Sequence, residues 1–275
     1  MITIVREPRV YLVGRPSLVT EGWKAFFDDE GVGLTVAGEP ITEAPEEAPL
    51  QWATDTDNAA ELLCMAAGKI CYDAFGKGRS ETGAYLGHII ESKHGSVLEH
   101  VVWNFIIAGV SRVFSHEHVR HRAGVAISQR SQRYVSESAS GQVLLPMIEA
   151  NPEAQRVWEE AVAQAQAAYD KLVQLLAEDL RAHLDKTLLV KTVRSAARSV
   201  MPNATETYLF WSANARALRH YIEMRGSREA DIEIRKVAVQ LLTIMQSEAP
   251  NLFGDYRLVD LPDGTQEAQT DHMKV

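Results

Sequence analysis

The residues best suited to chemistry are concentrated in one stretch, HEHVRHRAGVAISQRSQRYV, which runs from residue 116 to residue 135. Seven of its first eighteen residues are Arg or His, and Glu117 is the only acidic one. Arg side chains present planar forks that bind phosphate or carbonyl groups through paired hydrogen bonds. The segment SQRSQR adds hydroxyl and amide groups, and a turn there would also expose main-chain N–H groups. The pattern is typical of a site that wraps a phosphate and contacts a base.

Other kinds of site are disfavoured by residue spacing. A zinc-protease helix needs its second His four residues after the first, but Arg120 holds that place after His116, and His121 comes one residue later. Arginines beside a dication would also be repelled, so we expect no metal ligand. The two cysteines, Cys64 and Cys71, fall in an apolar helical pattern that favours core packing over nucleophilic catalysis. No G-x-S-x-G, P-loop or G-x-G-x-x-G motif is present.

More arginines follow in the C-terminal half, and two interpretations are open for them. Some could join the same site, while others could lie on solvated helix faces with acidic partners. The second interpretation is favoured for Arg194, Arg219 and Arg235. The arginines that remain as site candidates are Arg198, Arg216 and Arg225.

Composition narrows the class of protein. The chain has 275 residues, of which 46% are hydrophobic and 24% are charged, as in a soluble globular domain. Its net charge of −9 disfavours a broad nucleic-acid surface, because an acidic protein repels phosphate backbones. No apolar run approaches the ~18 residues of a membrane helix, and two closely spaced cysteines suit a reducing cytoplasm. We therefore expect a cytoplasmic protein with small-molecule ligands and neither nucleic-acid nor membrane partners.

These residues lie on predicted strands and helices that follow one another in no regular βαβ order. That order indicates an α+β fold. One catalytic domain over 1–275 is expected, with a surface arm at 28–56 and a loosely ordered tail at 257–275. Asn214 is placed to cap a helix. The predicted strands are 2–13, 99–111, 132–138 and 206–214. The predicted helices are 57–75, 82–94, 112–122, 152–184, 186–201, 215–225 and 229–249.

Several motifs resemble those of one enzyme family. The Arg-His-Arg run of Arg120 to Arg122, separated by eight residues from Ser131, is similar to the signature of the flavin-dependent thymidylate synthases. The segments HGSVLEH, SQRYV and NARALRHYIEMR resemble the same family. The similarity runs from about residue 57 to residue 256.

The resemblance implies a fold and a reaction. The fold is a single domain in which a sheet is flanked by helices, with long helices in the C-terminal half. The reaction is the C5-methylation of dUMP to dTMP, with methylene-tetrahydrofolate as carbon donor and NADPH-reduced FAD as hydride source. No covalent enzyme nucleophile is implied. An Arg instead stabilises the uracil ring as its N3 is deprotonated, which is preorganised electrostatic catalysis.

The resemblance also implies roles for individual residues. Arg225 is the catalytic residue that ionises the uracil. Substrate contacts are implied for Glu117, His118, Arg120, Gln129, Arg130, Ser131, Gln132, Arg133, Arg198 and Arg225. Flavin contacts are implied for His94, Ser96, Glu99, Arg120, His121, Arg122, Gln129, Asn214, Arg216 and His220.

Three departures from the commoner family pattern keep an alternative open. The spacing between Arg122 and Ser131 is eight residues rather than seven, Glu117 stands where many members have Gln, and Glu229 stands where several have His. A carboxylate at position 117 would repel a phosphate unless an Arg neutralises it. A flavin-dependent C5-methylase of UMP in nucleoside biosynthesis is therefore a second hypothesis.

Two hypotheses from other classes are a nucleotide-binding regulatory module and a flavoprotein oxidase without methyl transfer. The family resemblance also implies a homotetramer in which the flavin sites lie between subunits. Such an assembly would bring together arginines that are far apart in one chain.

Overall fold

The computed structural model describes residues 2–43 and 50–275. Its α-helices are α1 (Thr20–Asp29), α2 (Ala59–Cys71), α3 (Thr82–Glu91), α4 (Arg112–His118), α5 (Pro146–Glu149), α6 (Pro152–Leu180), α7 (Lys186–Ala197), α8 (Ala215–Arg225), α9 (Ile232–Glu248) and α10 (Pro250–Phe253). Its strands are β1 (Ile4–Val5), β2 (Arg9–Gly14), β3 (Val32–Val36), β4 (Glu39–Pro40), β5 (Leu50–Thr54), β6 (Val102–Ser111), β7 (Val125–Gln129), β8 (Gln142–Val143), β9 (Glu206–Asn214), β10 (Arg257–Asp260) and β11 (Gln266–Gln269).

The main sheet has four strands in the order β2-β6-β9-β7. Trp103, Phe105 and Ile107 alternate along β6 as buried residues, and Leu209 and Trp211 do the same along β9. This period of two directs one face of each strand into the core. The mixture of sheets and helices confirms the predicted α+β class, and the predicted strands at 99–111 and 206–214 are present.

The chain divides into two compact units whose segments interleave in sequence. The first unit comprises the residues up to Tyr11, Ile106–Arg120 and Ile127–Trp211. The second comprises Leu12–Phe105, His121–Ala126 and Ser212–Val275.

Both units contain long helices whose starts are fixed by local sequence. In the first unit, the side chain of Asn151 accepts hydrogen bonds from main-chain N–H groups at the start of α6, and Pro152 occupies the first helical position. Asn214 caps α8 in the second unit, as predicted, by accepting a hydrogen bond from Ala217 N at 2.8 Å. Within the described ranges, no helix is long and apolar enough to cross a membrane.

The predicted surface arm at 28–56 is wrong for the residues that the structure describes. β3 pairs in parallel with β5 and antiparallel with β4, and Leu34 and Trp52 are buried in this small sheet. Residues 44–49 of the predicted arm lie outside the described residues. The Gly- and Pro-rich sequence indicated a loop because these short strands become stable only through tertiary pairing.

The predicted loose tail is also wrong over part of its length. β10 and β11 form an antiparallel hairpin that starts at Arg257, and Glu267 and Ala268 are buried in it. The predicted strand at 132–138 is a turn, and the strand of this region is β7 instead. The predicted strand at 2–13 is divided into β1 and β2, and α6 ends four residues earlier than predicted, at Leu180.

Candidate active site

The predicted nucleotide loop begins in the first unit, where β7 ends. The amide of Gln129 donates to Thr207 Oγ1 at 3.4 Å. The main-chain N of Arg130 donates to Tyr208 O at 3.0 Å, and its guanidinium carbon lies 5.2 Å from the centre of the Tyr208 ring. Nη2 of Arg130 donates to Ser140 Oγ at 3.2 Å. Arg130 is therefore oriented by the protein on several sides.

Arg112 contacts the same loop, although it was not predicted as a site residue. Its Nη2 donates to Arg130 O at 3.0 Å and lies 3.9 Å from Oε1 of Glu137. Glu137 is fully buried, and Ser140 donates to its other carboxylate oxygen. Burial lowers the pKa of Arg112, Glu137 raises it, and the positive charges of Arg130 and Arg198 lower it further.

We call Arg112, Arg130 and Arg198 the arginine cluster. Arg130 and Arg198 are close enough to Arg112 for their positive charges to lower its pKa, and the buried carboxylate of Glu137 lies 3.9 Å from Arg112. The Nε atoms of Arg112 and Arg130 are buried and have no hydrogen-bond partner among residues 2–43 and 50–275. An anion bound here would offset the repulsion between the guanidinium groups, and phosphate suits their planar donors.

The rest of the loop is a turn that α7 contacts. Ser131 Oγ accepts a hydrogen bond from Arg133 N at 3.3 Å. Nη1 of Arg194 donates to Tyr134 O at 2.6 Å, and Nζ of Lys191 lies 4.7 Å from the centre of the Tyr134 ring. Arg194 therefore contacts the loop instead of lying on a solvated helix face. Gln132 is half-buried, whereas Arg133 and Arg198 are exposed.

The structure contradicts the predicted substrate contact of His118. Its side chain is 0% exposed, and its ring lies 5.1 Å from that of Phe114 and 4.7 Å from that of Trp211. A ring packed in this way presents no atom to a ligand. α4 ends at His118, four residues before the predicted end of this helix. Glu117 is half-buried and Arg120 is exposed.

In the second unit, the predicted catalytic residue is paired with the His of the Arg-His-Arg run. Nε of Arg225 donates to Nε2 of His121 at 2.9 Å. The His121 ring lies 4.8 Å from that of Tyr221 and 5.7 Å from that of His220. Burial, with the nearby Arg225 and His220, lowers the pKa of His121 to about 4. His121 is therefore neutral at pH 7 and can accept the hydrogen bond.

A cavity of about 450 Å³ in the same unit collects four of the predicted flavin residues. It lies at the start of α8, where Asn214 caps the helix. Nη1 of Arg216 donates to Glu99 Oε1 at 2.6 Å, and its Nε donates to Val275 O at 3.2 Å. The residues that line the cavity and were predicted to contact flavin are Glu99, Asn214, Arg216 and His220.

Gly124 fixes the turn between the Arg-His-Arg run and β7. It adopts a φ of +69°, and a Cβ at this position would meet the amide of Asn214 at 2.5 Å. Gly124 O also accepts a hydrogen bond from Asn214 N at 3.0 Å. The eight residues between Arg122 and Ser131 thus consist of this glycine turn, β7 and Arg130.

A second cavity of the same unit, of about 310 Å³, contains His94 and Ser96. It shares Arg216 with the larger cavity. The ring of Tyr72 stacks on that of His94, with 6.3 Å between the ring centres. Every predicted flavin residue of the second unit other than His121 and Arg122 therefore lines one of the two cavities. Arg122 and Glu229 are exposed.

Two predicted surface arginines are buried structural residues. Arg219 donates to Asp255 through Nη1 at 2.6 Å and through Nη2 at 2.8 Å. Arg235 is bonded to Asp263 and donates to Thr265 Oγ1 at 2.9 Å. Both have the acidic partner that the sequence suggested, but neither side chain is solvated.

Among residues 2–43 and 50–275, no group of three or more His, Cys, Asp or Glu residues could hold a metal ion. Sequence reasoning missed Arg112, Glu137 and Ser140. The available signal was weak: Arg112 lies four residues before His116, between Ser111 and Val113, and no other charged residue is beside it.

Comparison with known proteins identifies the chain's relatives. A family profile described as "Thymidylate synthase complementing protein" matches residues 54–251. The flavin-dependent thymidylate synthase of Mycolicibacterium vanbaalenii is 43% identical over 82% of this chain and 90% of its own. That of Corynebacterium glutamicum is 40% identical over 89% of this chain and 98% of its own.

Among solved structures, a UMP/dUMP methylase, PolB from Streptomyces cacaoi bound with 5-Br UMP, has the same fold. It superposes with a TM-score of 0.60 at 19% identity and covers 92% of this chain and 96% of its own. The sequence relatives and the matched profile show that this chain belongs to the flavin-dependent thymidylate synthase family.

Proposed function

We propose that the protein converts dUMP to dTMP by transferring a one-carbon unit from methylene-tetrahydrofolate to C5 of the uracil. The observation that carries the proposal is the arginine cluster. Three positive charges interact there beside the buried carboxylate of Glu137, in a chain of net charge −9. Such a local excess of positive charge suits a phosphate monoester dianion. Gln129, Ser131, Gln132 and Arg133 of the adjoining turn supply further donors to the nucleotide.

The side chains around the two cavities fit a flavin dinucleotide. Volumes of about 450 and 310 Å³ are in the size range of small-molecule pockets, roughly 300–1,000 Å³. Arg216 borders both cavities and would contact the diphosphate, since its guanidinium is exposed and oriented by Glu99. The other residues that would hold the flavin are His94, Ser96, Arg120, His121, Arg122, Gln129, Asn214 and His220. Bound FAD, reduced by NADPH, would supply the hydride that completes the methyl group.

Arg225 is the catalytic residue of this proposal. A guanidinium beside the uracil stabilises the negative charge that develops when N3 loses its proton. The hydrogen bond from its Nε to neutral His121 fixes the orientation of the side chain. Because the imidazole of His121 is neutral at pH 7, this hydrogen bond adds no negative charge beside the guanidinium.

A cysteine nucleophile is not needed for this chemistry. Burial raises the pKa of Cys64 to about 12, with a further contribution from Glu61. The thiol therefore stays protonated at neutral pH and is a poor nucleophile. Cys71 is exposed, but it lies away from Arg225 in sequence and borders the smaller cavity. Polarisation of the uracil by Arg225 takes the place of covalent attack.

A second candidate substrate is UMP. The structural relative is described as a UMP/dUMP methylase and was solved with 5-Br UMP. Glu117 is half-buried and follows Arg112 of the arginine cluster by five residues. Its carboxylate could accept a hydrogen bond from a ribose 2′-hydroxyl. We favour dUMP because the sequence relatives of about 40% identity are thymidylate synthases.

One assay distinguishes the candidates. The purified protein should show an oxidised-flavin absorption band and form methylated product from dUMP, methylene-tetrahydrofolate and NADPH. Product from UMP at an equal or higher kcat/KM would favour the second candidate. NADPH consumption that is independent of nucleotide and folate would indicate an oxidase. Binding of nucleotide with neither flavin nor turnover would indicate a regulatory module.

We also propose a cytoplasmic homotetramer with flavin held between subunits and without nucleic-acid partners. The ground for this assembly is membership of the flavin-dependent thymidylate synthase family. Sedimentation should give a tetramer, and dissociation of the tetramer should release the flavin. A monomer that retains its flavin would contradict the proposal.

A further inference from the structure

The hairpin of β10 and β11 lies outside the residues that the family profile matches, 54–251, and it contacts the end of α8. Ala268 N donates to Gly226 O at 2.8 Å. A Cβ on Gly226 would meet Ala268 Cβ at 2.8 Å and Ile222 O at 2.6 Å. The hairpin therefore packs against the residue that directly follows Arg225, with no space for a side chain between them.

Glu267 holds the next part of this turn. Its carboxylate accepts hydrogen bonds from Arg228 N at 3.2 Å and from Arg228 Nε at 3.1 Å. The residue is only 4% exposed. Hydrogen bonding by Arg228 lowers the pKa of Glu267 to about 2, so the carboxylate stays ionised throughout the neutral range. The pair is therefore a permanent connection between the hairpin and the turn.

A second arginine holds the same turn from α9. Nη1 of Arg235 donates to Arg228 O at 2.8 Å, and its Nη2 donates to Thr265 Oγ1 at 2.9 Å and to Asp263. Arg235 is itself buried. Arg235 thus connects the turn that ends α8 to α9 and to the tip of the hairpin, and Glu267 connects the same turn to β11. These contacts are more numerous than a simple helix stop needs.

We propose that Glu267, through its salt bridge to Arg228, is a positioning residue that fixes the end of α8 and thereby the guanidinium of Arg225. The inference rests on the catalytic role proposed above for Arg225. Gly226 N donates to Ile222 O at 2.8 Å, and Gly226 O accepts from the hairpin. Any shift of the hairpin is therefore passed to the residue beside Arg225. A misplacement of about 1 Å can reduce a rate by about 10²-fold.

The test uses the full chain with its flavin and the substitution Glu267→Gln, which removes the charge and preserves the shape. We expect kcat for dUMP methylation to fall on the order of tenfold, because Arg225 acts on charge that develops only in the transition state. The KM for dUMP and the Kd for flavin should change less than about twofold. Arg228→Gln removes the other member of the pair, whose side chain is 58% exposed. It should likewise lower kcat and leave KM nearly unchanged.

The control and the rescue come from the same hairpin. Arg257, at the start of β10, is exposed and pairs with Asp271 at 3.3 Å, so Arg257→Gln should leave kcat, KM and flavin binding unchanged. Exchanging the charges, with Arg228→Glu and Glu267→Arg together, should restore most of the lost kcat. A merely structural contribution would instead lower the melting temperature, flavin binding and kcat in parallel.

Three outcomes would overturn the inference: an unchanged kcat in Glu267→Gln, a parallel loss of all three properties, or no recovery in the exchanged pair. Arg225→Ala, measured alongside, separates this failure from failure of the proposed function. If Arg225→Ala also retains full turnover, the proposed role of Arg225 is wrong. If it loses turnover while Glu267→Gln does not, only the positioning role is wrong.

Discussion

Arg112 and Arg225 are both partly buried arginines, but they are held in opposite ways. Arg112 lies 3.9 Å from the buried carboxylate of Glu137, and burial together with the positive charges of Arg130 and Arg198 lowers its pKa. Arg225 is hydrogen-bonded to His121, whose low pKa keeps it neutral. The first arrangement accumulates charge that an anion must balance. The second fixes the direction of one guanidinium through a hydrogen bond to a neutral ring, an arrangement that would suit the stabilisation of a developing anion.

The largest expected effect comes from removing the oriented guanidinium. Arg225→Ala should lower kcat for dUMP methylation by about 10²- to 10³-fold, the usual cost of losing one preorganised donor. Flavin absorbance should persist, because the cavity residues around Arg216 are untouched. Steady-state turnover and flavin titration measure the two properties separately. Turnover at the unsubstituted rate would contradict the catalytic assignment.

Arg112→Met should act on binding and stability instead. Without Arg112, the buried Glu137 loses its ion-pair partner, and we expect the free energy of unfolding to fall by about 2 kcal/mol. The KM for dUMP should rise more than kcat falls, because a phosphate contact is equal in ground and transition states. Urea unfolding and steady-state kinetics would measure these changes. A fall in kcat at constant KM would contradict this prediction, because Arg112 would then act on the transition state, as is expected of Arg225.

The neutral state of His121 gives a smaller, pH-dependent effect. Its pKa in the folded protein, about 4, is below the unfolded value of about 6.5. The unfolded chain therefore binds more protons between these values, and stability should decline as pH falls from about 6.5 toward 4. His121→Asn retains a hydrogen-bond acceptor but does not titrate, so it should flatten this part of the curve. Denaturant unfolding at pH 7, 6, 5 and 4 gives the free energy of unfolding at each pH. If that free energy declined with pH equally in the unsubstituted protein and in His121→Asn, the effect would be excluded.

The smallest effect is expected at an arginine of neither region. Arg156 on α6 is exposed and pairs with Glu153 and Glu160 at 2.6 and 2.5 Å. Exposed pairs of this kind contribute little to stability, because solvent screens both charges. Arg156→Ala should therefore leave the midpoint of urea unfolding nearly unchanged and turnover intact. A larger loss would mean that pairing geometry, rather than burial, distinguishes the arginines of this protein.

The sequence predicted those parts of the fold whose signals are local. The Asn214 cap, the Pro152 start and the alternation along β6 and β9 are each encoded within a few residues, and each is present. β3, β4, β5 and the hairpin were missed because their strands are short and depend on partners distant in sequence. Residue composition at 28–56 and 257–275 therefore indicated loops that the tertiary contacts override.

The candidate site shows the same limit. The motif segments contain Arg130, His121 and Arg225, whose predicted ligand contacts stay predictions; the structure shows each of them hydrogen-bonded to neighbouring polar groups. Glu137 and Arg112 escaped notice because they meet across 25 residues of sequence, and no periodicity records such a contact. His118 was assigned to substrate because it lies in the motif, yet the aromatic packing of Phe114 and Trp211 takes it into the core.

The turn at Gly124 has a practical consequence for anyone who redesigns the substrate preference of this enzyme. Every other residue would need both a strained left-handed φ and space that the Asn214 amide already fills. A change at this position would therefore disturb the cap of α8 and mask any gain in selectivity. Ala126 and Ser128, the exposed positions of β7, can be randomised without that penalty. A library should vary these two and leave the glycine unaltered.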